Sequence, residues 1–209
     1  MHTKPISLIY GLLLMTLVVP LQGAADTTAN EILLTDFTSN SGNLGWYVVN
    51  DNVMGGRSEG GFQEEQGTLY FAGDTNTTGG GFSSIRTSPL QLDLSNYAGI
   101  RLRVKGDGRR YTWRLTTNAR SRGRQVSYWA DFKTQDGTWT TVDIPFYRFI
   151  PRFRGYQLDG PALDSGQITG MGLMIYDNQD GPCELQMTGV YAYSKVKDTR
   201  GSDPGADQP

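Results

Sequence analysis

Strict alternation of apolar and basic side chains over residues 100–105 constrains the fold of this chain more than any other feature. The alternating residues are Ile100, Arg101, Leu102, Arg103, Val104 and Lys105. A period of two is what an extended strand imposes on its side chains. The apolar side chains therefore face a core and the basic ones face water. Residues 106–109, with the sequence Gly-Asp-Gly-Arg, then predict a hairpin turn.

Short segments of the same kind recur along the chain. No run of about ten residues has a convincing helical period. Further strands are predicted at residues 46–49, 68–72, 82–86, 90–94, 111–116, 126–133, 138–144, 168–176 and 185–193, and residues 32–34 are predicted as an opening strand or an edge that packs onto the sandwich. Residues 118–124 are predicted as a polar loop, and 145–161 as an irregular segment over one end of the core. Nine or ten short strands separated by turns predict an all-β fold, an antiparallel sandwich or barrel.

The first 25 residues have the pattern of a secretory signal peptide. Lys4 gives a positive start, residues 6–21 are mostly apolar, and Gly23 and Ala25 precede a plausible cleavage site. We therefore expect an exported protein, periplasmic or secreted, with no stable membrane span after cleavage. The alternative is an uncleaved N-terminal anchor, although the apolar run is shorter than the ~20 residues of a membrane helix. A single domain over residues 26–194 and a disordered polar tail over 195–209 are expected to follow.

Charge and the supply of reactive side chains exclude several classes of function. The formal net charge is only −2, so neither nucleic acid nor an anionic membrane is expected as a partner. The one histidine, His2, lies in the signal segment, which excludes Ser-His-Asp triads and imidazole zinc sites from the mature chain. The one cysteine, Cys183, excludes an intramolecular disulfide, and we expect it to be buried on a strand. We predict no catalytic residue, no metal and no cofactor.

Two glycine-containing polar stretches, residues 50–58 and 79–84, stand out as candidates for a site. The first holds Asp51, Asn52, Arg57 and Ser58, which offer the donors and acceptors that a polyol-like ligand needs. The alternative is a structural loop whose side chains bond to their own backbone. The second stretch has no P-loop Lys-Ser/Thr pair and no following helix, which favours close packing over phosphate binding.

Other candidate contacts with a ligand or partner lie on the predicted strands and turns. They are Ser84, Arg86, Trp129, Asp177 and Gln179. Trp129 alternates with core residues and is either an exposed platform for a sugar or an interface, or partly buried under residues 145–161. Asp177 offers oxygen ligands for Ca²⁺ or belongs to an ordinary polar turn.

Two further hypotheses depend on how the strands are arranged. Arg101, Arg103 and Lys105, together with Arg114, form either a solvated sheet face or a docking surface for an acidic partner. Asp51 and Asp177 would form the paired carboxylates of a glycoside hydrolase if the fold brought them to ~5–9 Å.

Taken together, the order of several motifs resembles the family of complex I intermediate-associated protein 30 (CIA30). The motifs that support the resemblance are residues 46–58, 79–86, 93–95, 99–104, 106–111, 139, 145–146, 151–155, 172–179 and 181–182. The resemblance covers roughly residues 34–193 and implies a galactose-binding-like jelly roll. It also implies a non-catalytic assembly-factor or binding role with a protein partner, since mitochondrial relatives help to build respiratory complex I. The residues leave a carbohydrate-binding module, or a carboxylate-based glycoside hydrolase, open as alternatives.

Overall fold

Two antiparallel sheets packed face to face account for most of residues 31–41 and 43–194, which the computed structural model describes. The predicted all-β jelly-roll sandwich is confirmed. The predicted signal peptide over residues 1–25 and the predicted tail over 195–209 lie outside the described residues. Within those residues, no helix is long and apolar enough to cross a membrane.

The described residues form 13 strands and four short 3-10 helices. The strands are β1 (Glu31–Thr35), β2 (Tyr47–Asn50), β3 (Glu59–Glu65), β4 (Thr68–Thr75), β5 (Ser83–Arg86), β6 (Gly99–Gly106), β7 (Arg110–Ser121), β8 (Arg124–Lys133), β9 (Trp139–Pro145), β10 (Ile150–Phe153), β11 (Tyr156–Gln157), β12 (Ile168–Ile175) and β13 (Gly181–Tyr193). The 3-10 helices are Ser39–Ser41, Asp51–Met54, Phe146–Arg148 and Ser165–Gln167.

The strand order separates the molecule into a first and a second sheet. The first sheet has the order β3-β4-β13-β6-β9, with β1 paired to the end of β13. The second sheet has the order β11-β10-β8-β7-β12-β5-β2. Strands β7 and β12 lie at its centre, whereas β2 and β11 form its edges.

The core lies between the two sheets and is built from the predicted alternation. Ile100, Leu102 and Val104 on β6 are fully buried, as are Trp113 and Leu115 on β7. All five belong to one continuous hydrophobic cluster. Removal of this apolar surface from water is the main force that holds the two sheets together. Cys183 is buried on β13, as expected, and burial raises the pKa of its thiol to about 11.

The prediction that residues 106–109 form a hairpin turn within one sheet is wrong. Strands β6 and β7 on either side of it belong to different sheets, so the turn is a corner of the sandwich. The carboxylate of Asp107 holds this corner, because it accepts the Tyr111 hydroxyl at 3.0 Å and the Glu184 N–H at 2.8 Å. Two successive half-buried strands can pair side by side or face each other across a core. Their local pattern is the same in both cases.

Other local predictions also differ from the structure. The strand predicted at residues 90–94 is an irregular segment with a single bridge between Leu92 and Ile168. The loop predicted at 118–124 is a tight turn at Arg122 and Gly123, both with positive φ, between the long strands β7 and β8. The segment 145–161 contains the β10–β11 hairpin. Strand β3 was not predicted, since its two glycines and three glutamates have low β propensity.

Candidate functional site

The two glycine-containing stretches meet on the carboxylate of Asp51, which is fully buried. Its Oδ1 accepts the N–H of Ser58 at 2.8 Å, and its Oδ2 accepts the Ser58 hydroxyl at 2.6 Å. Oδ2 also accepts the N–H of Gly81 at 2.6 Å and that of Phe82 at 3.3 Å. Burial raises the pKa of Asp51, but these hydrogen bonds, led by the one from the Ser58 hydroxyl, outweigh burial and hold the pKa below its usual value. Asp51 therefore joins the two loops as an ionised carboxylate.

The glycines beside Asp51 are explained by this arrangement. A Cβ atom on Gly56 or on Gly80 would lie less than 3.0 Å from the Asp51 carboxylate. A larger residue at either position would therefore force the loop or the carboxylate to move. The structure thus shows Asp51 and Ser58 in hydrogen bonds that hold the two loops together. Asn52 is exposed on the same loop.

Asp177 is engaged in the same way on the neighbouring turn. Its carboxylate, 7% exposed as a residue, forms a two-pronged ion pair with Arg109, in which Nη2 lies 2.7 Å from Oδ1 and Nε lies 3.0 Å from Oδ2. This hydrogen bonding raises the pKa of Arg109. Arg109 also donates to the carbonyl oxygens of Gln179, Gly181 and Pro182 at 2.8 to 3.0 Å. The guanidinium thereby closes the turn after β12, while the Gln179 side chain stays exposed. The described residues contain no group of three acidic, cysteine or histidine side chains that could hold a metal.

A cleft of about 700 Å³ opens on the outer face of the second sheet. It lies between the Asp51–Met54 turn on one side and the β10–β11 hairpin on the other. Four arginines line it, Arg86, Arg114, Arg152 and Arg154. Among the described residues that line the cleft, none is Asp or Glu. The cleft is therefore a cationic site.

The floor of the cleft is a row of residues that lie opposite one another on five adjacent strands. Tyr47 on β2 pairs with Arg86 on β5, which pairs with Gly172 on β12. Gly172 pairs with Arg114 on β7, which pairs with Trp129 on β8. A Cβ atom on Gly172 would lie 2.6 Å from the carbonyl oxygen of Ile85. Gly172 is itself buried, and the Cγ atom of Arg86 lies 3.4 Å from the position of such a Cβ, so the glycine makes room for the Arg86 side chain.

Arg114 is only 8% exposed, and it lacks the partners that a buried guanidinium usually has. Its Nη2 donates to the Ser127 hydroxyl at 2.9 Å, whereas its Nε has no hydrogen-bond partner. The buried Nε of Arg86 has none either. Neither guanidinium lies within 4.0 Å of a carboxylate of the described residues. Burial, and after it the charge of Arg86, lower the pKa of Arg114 to about 9, and burial lowers the pKa of Arg86.

Trp129 is half-buried in the cleft beside two of these arginines. The guanidinium carbons of Arg114 and Arg152 lie over its ring, 5.5 and 5.4 Å from the centroid. Its indole N–H donates to the Ser127 hydroxyl at 2.8 Å, and Tyr176 meets it edge-on at 5.9 Å. Of the two arrangements predicted for Trp129, exposed or partly buried, the structure shows the partly buried one.

Only two of the residues predicted for the site, Arg86 and Trp129, line the cleft. Ser84 lies on the same strand as Arg86, but it is buried, with its hydroxyl donating to the Val49 carbonyl at 2.7 Å. The others lie away from the cleft lining: Asp51, Asn52, Arg57, Ser58, Asp177 and Gln179. Of these, Arg57 is exposed on the surface.

Arg114 is the main cleft residue for which the sequence predicts the wrong neighbours. The prediction of a β6–β7 hairpin places it with the basic stripe of Arg101, Arg103 and Lys105, on a solvated face or a docking surface for an acidic partner, whereas the structure places it on the other sheet. The stripe itself is partly neutralised, since Arg101 pairs with Glu31 at 2.8 Å and with Asp143 at 2.7 Å. Tyr47, Arg152 and Tyr176 were also missed as site residues. These residues come together only through the pairing of strands that are distant in sequence, and no local sequence pattern reveals that pairing.

Comparison with known proteins identifies relatives at the level of sequence. A family model described as complex I intermediate-associated protein 30 (CIA30) matches residues 35–187. An uncharacterized protein of Schizosaccharomyces pombe is 30% identical over 176 residues, covering 71% of this chain and 77% of that protein. The mitochondrial complex I intermediate-associated protein 30 of Mus musculus is 30% identical over 175 residues, covering 70% of this chain and 52% of that protein. The chain thus spans about half the length of the mouse relative.

Solved structures with the same fold include carbohydrate-binding modules and an agarase. The family 11 carbohydrate-binding module of a cellulosomal cellulase of Clostridium thermocellum superposes with a TM-score of 0.60 at 19% identity, covering 82% of this chain and 98% of the module. The same kind of module in complex with a β-1,3-1,4-mixed-linked tetrasaccharide gives 0.59 at 20% identity, covering 80% and 97%. An agarase gives 0.56 at 11% identity, covering 80% of this chain and 25% of the agarase. At these identities the likeness shows the fold alone.

Proposed function

Because the chain belongs to the complex I intermediate-associated protein 30 family, we propose that it is a non-catalytic binding protein that associates with a protein partner in an assembly role. Family membership and the name of the mouse relative support this proposal. The partner of this chain is a separate question, since the chain spans only 52% of that relative.

The observation that carries the proposal is the arginine-lined cleft. Buried polar groups in folded proteins are nearly always hydrogen-bonded, so each exception calls for an explanation. Three buried side-chain donors of the described residues have no partner: the Nε atoms of Arg86 and Arg114, which belong to one preformed cleft, and the indole N–H of Trp113 in the core. A site that receives its hydrogen-bond acceptors from a bound partner accounts for the two arginine exceptions together.

The state of the two candidate catalytic acids supports a non-catalytic role. A glycoside hydrolase of the usual kind needs two carboxyl groups that flank the scissile bond. Asp51 is buried beneath two loops, and Asp177 is held by Arg109. Neither belongs to the cleft lining.

Carbohydrate binding in the same cleft is the second candidate function. Trp129 and Tyr47 supply the aromatic rings that stack on sugars in many binding sites. Two guanidinium groups already lie over the Trp129 ring, however, which leaves less of its surface for stacking. We therefore place protein association first.

Export is part of the proposal and rests on the sequence of residues 1–25. The partner would then lie in the compartment that an exported chain reaches, periplasmic or extracellular. Fractionation of cells that express the full chain, with N-terminal sequencing of the mature form, tests this point. A chain that stays on the inner side of the membrane, with residues 1–25 intact, would overturn it.

The association itself is tested by cross-linking and co-purification of the tagged mature chain from its own compartment. We expect one partner to be recovered at fixed stoichiometry, as judged by mass spectrometry and by light scattering of the purified complex. Reciprocal capture with the tagged partner is the control for adventitious binding. A glycan array with the same protein runs beside it. A glycan ligand without any stoichiometric partner would replace protein association by carbohydrate binding.

A further inference from the structure

We propose that the cleft on the second sheet binds an acidic segment of a polypeptide, with one carboxylate of that segment seated between Arg86 and Arg114. This inference rests on the proposed function and deepens it, because it names the chemistry that the partner presents. The carboxylate would accept hydrogen bonds from these two guanidinium groups, whose Nε donors have no hydrogen-bond partner in the free protein.

The first step of the argument is the charge of the cleft. Arg86, Arg114, Arg152 and Arg154 all belong to its lining, and no described residue of the lining is acidic. Arg101 of the first sheet differs, since it is held between Glu31 and Asp143. The cationic field of the cleft is therefore left for a bound anion.

The second step is the geometry of the two central arginines. Both lie next to Gly172 in one row across the sheet, so their α-carbons are two strand spacings, roughly 10 Å, apart. Gly172 between them makes room for the side chain of Arg86, whose Cγ atom would lie 3.4 Å from a Cβ at that position. Arg114 is held there by Ser127 and by the ring of Trp129. A guanidinium fixed in this way presents its remaining N–H groups to a carboxylate with little loss of side-chain freedom.

The third step distinguishes a peptide from an acidic saccharide. One wall of the cleft carries the exposed apolar side chains of Val53 and Met54, 67% and 52% exposed, and the floor ends beside it in the half-exposed ring of Tyr47. An apolar wall beside a cationic floor matches a peptide in which acidic and apolar side chains alternate. Trp129, the ring on which a sugar would stack, already lies under two guanidinium groups. The observations thus favour the peptide.

The test uses the mature chain and two acetylated, amidated hexapeptides. One alternates leucine and glutamate, and the other has glutamine in place of each glutamate. Binding is followed by nuclear magnetic resonance through the indole N–H signal of Trp129. We expect the glutamate peptide to bind at least tenfold more tightly than its glutamine counterpart, with an affinity that falls as salt is raised.

Variants locate the binding. Arg114→Gln and Arg86→Gln should each weaken the glutamate peptide about 10- to 100-fold, whereas Arg103→Gln, an exposed change on the first sheet, should leave its affinity unchanged. Arg114→Lys keeps the charge but loses the planar, two-pronged donor geometry of the guanidinium, and it should weaken binding less than Arg114→Gln does. Thermal unfolding of each variant shows that the fold is intact, and Arg86→Gln keeps the test decisive if Arg114→Gln does not fold.

Three outcomes would overturn the inference. Equal affinity for the two peptides removes the role of the carboxylate. Tighter binding of oligogalacturonate than of the glutamate peptide makes the site one for acidic saccharides. Capture of the same partner by the Arg86→Gln/Arg114→Gln protein places partner binding elsewhere, and the proposed function then stands without this site. Failure to find any partner, with peptide binding intact, counts against the proposed function alone.

Discussion

Arg86 and Arg114 lie on either side of Gly172 in one row across the second sheet, and neither forms an ion pair within the described part of the chain. Two like charges placed this close to each other, one of them almost fully buried, oppose folding. Arg86 in fact contributes to the lowered pKa of Arg114. Natural proteins keep such local costs mainly at functional sites, where stability and function conflict.

The first prediction follows from this cost. Arg114→Met keeps the length of the side chain and removes the unpartnered charge, so it should raise the free energy of unfolding of the free protein by about 1–2 kcal/mol. Urea denaturation at pH 7 measures the change. Arg103→Met, on the exposed face of β6, is the matched control and should stay within about 0.5 kcal/mol of the original chain. A loss of stability in Arg114→Met would mean that Arg114 stabilises the fold.

The second prediction concerns the packing of Gly80 against Asp51. An added methyl group would lie less than 3.0 Å from the carboxylate, so Gly80→Ala should cost about 2–4 kcal/mol of stability, because the two loops must separate. Gly61→Ala adds the same methyl group on β3 where no atom lies within 4 Å, and it should be close to neutral. Equal losses in both variants would show that the cost is not caused by Asp51.

Much of the fold could be predicted from the sequence because alternation is a local property. The strands around Ile100, Trp113 and Tyr128 have their apolar faces where the pattern placed them. Sheet membership is not local, and it was here that the prediction of a hairpin at 106–109 was wrong. The Gly-Asp-Gly-Arg sequence suits a tight turn within one sheet and a corner between two sheets equally well.

The site was less predictable than the fold for the same reason. The conspicuous polar loop pointed to Asp51, whose oxygens are occupied within the fold. Arg114, in contrast, was predicted to share a solvated or partner-docking face with Arg101, Arg103 and Lys105, but the structure places β7 at the centre of the other sheet. A residue's availability to a ligand depends on what covers it. For Arg114 that is decided by Ser127 and Trp129 on the neighbouring strand β8.

The third prediction uses the ionisation of Asp51. Its pKa is lowered in the folded state relative to an ordinary value of 3.8, so its charged form stabilises the fold above that value, and this contribution is lost as the pH falls through the folded pKa. Asp51→Asn should therefore cost about 2–4 kcal/mol at pH 7. The difference between the two proteins should shrink below pH ~4. Urea denaturation from pH 7 to pH 3 measures it, and a difference that stays constant over this range would contradict the assignment.

The fourth prediction separates the buried ion pair of the turn after β12 from a surface pair. The side chains of Arg109 and Asp177 are 12% and 1% exposed, and Arg109 also holds the carbonyl oxygens of Gly181 and Pro182. Asp177→Ala leaves this guanidinium without its counter-ion, which should cost about 3 kcal/mol. Asp143→Ala breaks the Arg101 pair, in which the Asp143 side chain is 42% exposed, and should cost less than ~1 kcal/mol. Thermal and urea unfolding of both variants compare the two pairs directly. Hydrogen exchange at residues 177–182 should rise only in Asp177→Ala, because only that variant frees the turn. Similar losses of stability in the two variants would show that burial of the Arg109–Asp177 pair does not increase its contribution to stability.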